Sequence, residues 1–106
     1  MSDWLAYDGG RSIGKVGAEG GIILRDEEYG SSVRVTLKRG ENFISVSCSI
    51  YGWMDHTRFF NTLRDALREY RLMKPSLANV VENILPAAKG DIKMWEAVAA
   101  FVRRFP

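Results

Sequence analysis

The order in which hydrophobic periodicity changes along this chain limits its fold more than any single motif. Between Ser31 and Lys38 the apolar side chains are Val33, Val35 and Leu37; between Phe43 and Tyr51 they include Ile44, Val46, Cys48 and Ile50. Both runs alternate apolar with polar, the period of a strand with one buried face. From about Asp55 onward the spacing changes to three and four residues, the period of helices. A half-buried sheet needs a cover and amphipathic helices need a surface, so the pattern predicts an α+β domain.

Gly21 to Asp26 reads as a further strand, and a short strand is expected near Ser12 to Val16. The connections at Glu27–Gly30 and Arg39-Gly40 are short, polar and contain glycine, as antiparallel neighbours require. The expected architecture is an N-terminal antiparallel meander of about four strands, covered on one face by about three C-terminal helices. The last strand is placed at Glu41 to Trp53, and Asp55 is expected to cap a first helix over His56 to Met73 that buries Phe59, Phe60, Leu63, Ala66, Leu67 and Tyr70. Lys74-Pro75 should end it, because the residue before proline resists the helical conformation. Pro75 would then open a second helix carrying Leu77, Val80, Val81, Ile84 and Leu85, up to Pro86. A third helix is expected after Gly90, with Asp91 as its cap. Its apolar residues, among them Met94, Phe101 and Phe105, exceed one stripe, so the helix either sits deep between other elements or lends its second face to another chain, as in a homodimer through the C-terminal helix.

The 106 residues form one domain on the usual size scale, residues 1–106, large enough to bury a core without staples. No run approaches the ~20 apolar residues of a membrane span, and the start Met1-Ser2-Asp3-Trp4 lacks the basic, apolar character of a signal peptide. A cytoplasmic protein is expected. The single cysteine, Cys48, allows no internal disulfide. Residues 1–55 carry six basic and eight acidic side chains, residues 56–106 nine and five, so the helical part is the basic part.

Six of the ten glycines lie between Gly9 and Gly21. Gly9 to Lys15 matches the spacing of a phosphate-binding loop, but Val16 replaces the magnesium-binding hydroxyl, and Gly17, Gly20 and Gly21 oppose the helix that such a loop must open. Turns are the expected reading. The outer sheet face should present Arg34, Thr36, Lys38, Ser45, Ser47 and Ser49 to solvent, without the central aromatic rings of an RNA-binding sheet. Arg64, Arg68 and Arg71 line one helix face, where Asp65 and Glu69 can screen them against a nucleic-acid role.

Chemistry has few candidates. Cys48 and His56 are the only possible thiol–imidazole pair, yet Cys48 alternates in phase with the core residues, where a thiol is inert. Asp26-Glu27-Glu28 has no second cluster with which to bind a metal, and no cofactor is expected. The strand-to-helix junction concentrates aromatic and polar side chains, and Tyr51, Trp53, His56 and Arg58 are its candidate binding residues. The sequence favours a non-enzymatic module that binds another protein, in the manner of an inhibitor, immunity-type protein or adaptor. A small-ligand protein or minor enzyme with a pocket at that junction is the alternative, and phosphate or nucleic-acid binding through the first helix is the third reading. Catalysis is disfavoured but left open, nucleic acid is disfavoured, and no membrane partner is expected.

Overall fold

The computed structural model describes residues 3–86 and 91–106. Five strands, β1 (Trp4–Ala6), β2 (Ile22–Tyr29), β3 (Val33–Arg39), β4 (Ile44–Ile50) and β5 (Met54–Phe60), pair in chain order as an antiparallel meander. Two helices follow, α1 (Leu63–Asn79) and α2 (Ile92–Arg104), with a π-helical turn over Val80–Ile84 extending α1. The α+β class and the meander agree with the periodicity. The counts differ, with five strands for four and two α-helices for three.

The register places Val35 opposite Cys48 and Cys48 opposite His56, with Val33–Ile50–Met54 and Leu37–Val46–Arg58 on either side. These rows face the helices. Val33, Val35, Leu37, Val46, Cys48 and Ile50 meet Ala66, Tyr70, Met73 and Leu77 of α1, and Met94, Phe101 and Phe105 from α2 and its end, in one core. Met94, Phe101 and Phe105 are all buried, so the expected surplus does not lie there; the large apolar side chains that α2 exposes are Ile92 and Trp95.

Three boundaries differ from the sequence expectation, each for a physical reason. Met54–Phe60 is a strand, although its inward positions include His56 and Arg58, which conceal the alternation. The cap of α1 is therefore Thr62, whose side chain accepts the Asp65 N–H at 3.1 Å, and Asp55 is a strand residue. Pro75 lies inside α1 and does not end it. A proline there costs about 3 kcal/mol, but an unbroken helix buries Met73, Leu77 and Val80, roughly 1.5–3 kcal/mol each. The continuous helix wins. Asp91 occupies the N-cap position of α2 without a side-chain capping bond; Gly90 lies outside the described residues.

The stretch before β2 is not a strand. Asp8 and Gly9 adopt left-handed backbone, and Val16 makes only an isolated bridge to Ile22. Gly14 donates to the Ile23 carbonyl and Ile23 to that of Lys15, so this segment runs beside the start of β2 while turning back over the sheet.

Candidate functional site

The face of the sheet away from the helices carries three cross-strand rows. Glu28, Arg34, Ser49 and Asp55 form the first, Asp26, Thr36, Ser47 and Thr57 the second, and Lys38, Ser45 and Phe59 the third. The alternation predicts these polar residues on one face, but not their burial. Asp26, Thr36, Lys38 and Ser45 are all buried, and the glycine-rich segment lies against Lys38. Gly17 shows how close the cover comes: a Cβ there would stand 2.6 Å from Lys38 Cδ. Tyr7 stacks on Arg34, whose guanidinium lies 3.6 Å from the ring centre.

Beneath this cover is a cavity of about 420 Å³, lined by Gly17–Glu19, Arg34, Thr36, Lys38, Ser47 and Thr57, with Asp55 also on its wall. The Arg34 charge on its wall is already paired. Arg34 donates to both Asp26 carboxylate oxygens, at 2.9 and 2.7 Å, and Thr36 donates to one of them at 3.1 Å. Ser47 and Thr57 share a hydrogen bond of 3.1 Å. Lys38, 6% exposed, has no hydrogen bond or ion pair among the described residues.

The structure disperses the four junction residues. Tyr51 is exposed in the β4–β5 turn, where Gly52 (φ 85°) supplies the left-handed residue and Trp53 N–H closes onto the Ile50 carbonyl. Trp53 is half-buried, edge-on to Trp95 of α2 at 5.3 Å. His56 and Arg58 point to the helix side and hold the end of the chain. His56 Nε2 lies 2.6 Å from the Phe105 carbonyl, which can only accept, so Nε2 carries the proton. Arg58 donates to the Pro106 carbonyl at 3.0 Å and to Glu69 at 3.0 Å. These two side chains are thus occupied in holding the last residues against β5.

Cys48 and His56 are cross-strand neighbours, as a thiol–imidazole pair would need. No hydrogen bond joins them among the described residues, and burial pushes the Cys48 thiol up to about 12. At neutral pH it is a thiol in the core and a poor nucleophile. In the same cross-strand row, on β2, Glu27 accepts from Tyr70 at 2.7 Å and from Lys74 at 2.9 Å, tying α1 to the sheet. Burial and the adjacent carboxylate raise the Tyr70 pKa. Among the described residues no group of His, Cys, Asp and Glu is arranged to hold a metal, and no helix is long and apolar enough to cross a membrane.

The two sheet edges differ. On one side β2 is flanked by β1 and by the Gly14–Val16 segment. On the other, all seven residues of β5 lack a strand partner beyond β4 among the described residues. That edge contains neither proline nor lysine and carries Phe59, 69% exposed and edge-on to Phe43 at 6.2 Å. Reading β5 as helix concealed this edge from the sequence. Comparison of the chain with protein-family models, curated proteins and solved structures finds no match to any of them.

Proposed function

We propose that this protein is a non-catalytic module that binds another polypeptide by adding an extended segment of it to β5. One observation carries the reading: a full-length edge strand with no partner among the described residues, beside an exposed aromatic ring. Edges of this kind are usually shortened, covered or guarded by charge and proline, since an open row of backbone N–H and C=O groups recruits any suitable strand. Here the opposite edge is the three-residue β1, whereas this one runs seven residues. Strand addition takes affinity from the backbone and specificity from alternate side chains, and Asp55, Thr57 and Phe59 provide such a row on the outer face. The suppressed reactivity of Cys48 also supports binding over catalysis.

A homodimer through the C-terminal helix is the second reading, and it rests on exposed Ile92 and Trp95. Photo-crosslinking separates the two. A benzophenone side chain placed at Phe59, at Trp95 or, as control, at exposed Arg64 of α1 is irradiated in native cell extract and in the pure protein. Discrete adducts to another polypeptide from position 59 alone are expected. Self-adducts of the pure protein from position 95 alone would replace this reading with the helix-borne dimer. Adducts equal at all three positions, or none, would refute strand addition.

A further inference from the structure

We propose that the segment added to β5 runs antiparallel to it and carries an aromatic residue opposite Phe59 and a lysine or arginine opposite Asp55, so that the occupant of this edge is a basic, aromatic segment of another protein and not a second copy of this chain. The inference rests on the strand-addition reading of β5 and adds to it what the edge selects.

The two rows of β5 differ in what they leave free. On the helix side, His56 and Arg58 are engaged by the Phe105 and Pro106 carbonyls, and Arg58 also by Glu69. Selection therefore falls to the outer row, Asp55, Thr57 and Phe59. Phe59 is 69% exposed, has the small Ser45 as its neighbour on β4, and meets Phe43 edge-on. Directly opposed residues of antiparallel strands stand about 4.5–5.5 Å apart at Cβ, so an aromatic side chain on the added strand would cover this ring. Antiparallel pairing continues the order of the sheet and is the more stable per residue.

Asp55 supplies the charge. It is exposed, lies opposite Ser49 on β4, and makes no hydrogen bond or ion pair among the described residues. The cavity under the glycine-rich segment reaches β5 at Asp55 and Thr57, and the other acidic side chain on its wall, Glu19, is likewise exposed and unpaired among the described residues. The cations on that wall stand elsewhere: Arg34 is paired with Asp26, and Lys38 lies in the row of Phe59. A lysine or arginine opposite Asp55 meets opposite charge, where a glutamate would meet like charge.

A second copy fits this row poorly. Two antiparallel copies of β5 overlap along their whole length only when centred on Thr57, which sets Asp55 against Phe59 and His56 against Arg58. Moving the centre to Asp55 or to Arg58 opposes like charges directly.

The probe is a blocked heptapeptide of serine, phenylalanine, threonine, valine, threonine, lysine and serine, in that order, whose alternate phenylalanine, valine and lysine meet Phe59, Thr57 and Asp55. It is compared with the same peptide carrying glutamate in place of lysine. Amide NMR shifts of the full chain report site and affinity. The lysine peptide is expected to shift residues 54–60 saturably and to bind about fivefold more tightly than the glutamate peptide at low ionic strength. Asp55→Lys should reverse that order, and Phe59→Ser should weaken both peptides. If Asp55→Lys does not fold, Asp55→Asn should bring the two peptides within about twofold of each other. Equal binding of both peptides at β5, an order unchanged in the Asp55 variants, or undiminished binding to Phe59→Ser would overturn this inference and leave strand addition standing. A dimer in sedimentation that the lysine peptide dissociates would put a second copy on the edge and overturn it as well. No saturable shift in residues 54–60 with either peptide would overturn both readings.

Discussion

Replacing Phe101 by alanine tests whether α2 belongs to the core or to an interface. The ring is 5% exposed, packs on Phe105 with centroids 4.9 Å apart, and meets His56 edge-on at 6.5 Å. Removing a buried phenylalanine costs about 3–5 kcal/mol. Domains of this length have roughly 5–15 kcal/mol in total, so the variant should lie close to its unfolding threshold. With a urea slope of about 1.5 kcal/mol/M, the midpoint should fall by roughly 2–3 M. The effect should extend to β5, because Phe105 and Pro106, which follow α2, accept hydrogen bonds from His56 and Arg58. Equilibrium urea unfolding by circular dichroism, repeated over a hundredfold range of protein concentration, is the assay. A midpoint shift below about 0.5 M, or one present only at low concentration, would refute the packing of Phe101 within its own chain.

Three further predictions concern the core and α1. Cys48 should label slowly in the native protein and rapidly in denaturant. Because its folded pKa, about 12, lies above the ordinary thiol value of 9.0, its contribution to stability is fully present below pH 9 and is lost as pH rises from 9 to 12. Tyr70, also raised, adds to the alkaline loss. Chemical denaturation at several pH values should show stability declining above pH 9 by up to about 1.4 kcal/mol per pH unit for each group, with a smaller slope in Cys48→Ala; an unchanged slope would count against the buried thiol. Pro75→Ala should stabilise the protein by about 1–2 kcal/mol, since restoring a helical N–H and relieving a clash outweigh the added freedom of the unfolded chain. A lower melting temperature in that variant would show that the proline fits this helix without strain.

Much of the fold was legible because half-buried strands reveal themselves by alternation. Val33, Val35 and Leu37, like Val46, Cys48 and Ile50, occupy the buried positions that their spacing predicts. Legibility failed at β5, whose helix-facing row is Met54, His56, Arg58 and Phe60. Two polar members there are occupied by Phe105 and Pro106, partners 49 and 48 residues away, which no local window contains. The candidate sites were hidden for the same reason. Lys38 in an alternating strand looks like any solvated lysine, and only the return of Gly17 over it makes it buried.

Local pattern was enough to set the class: side-chain alternation along β3 and β4 and helical spacing after Thr62 are properties of neighbouring residues, and they choose between sheet and helix without long-range information. The same alternation marked which sheet face is apolar. Long-range packing settled the rest. Burial of Leu77 and Val80 in the core carried α1 through Pro75, against the local preference to stop. The folding back of a glycine-rich segment changed a polar sheet face from surface into a roofed cavity. Meander order left β5 as the open edge, and that exposure depends on which strands lie beside one another, not on the residues the strand contains.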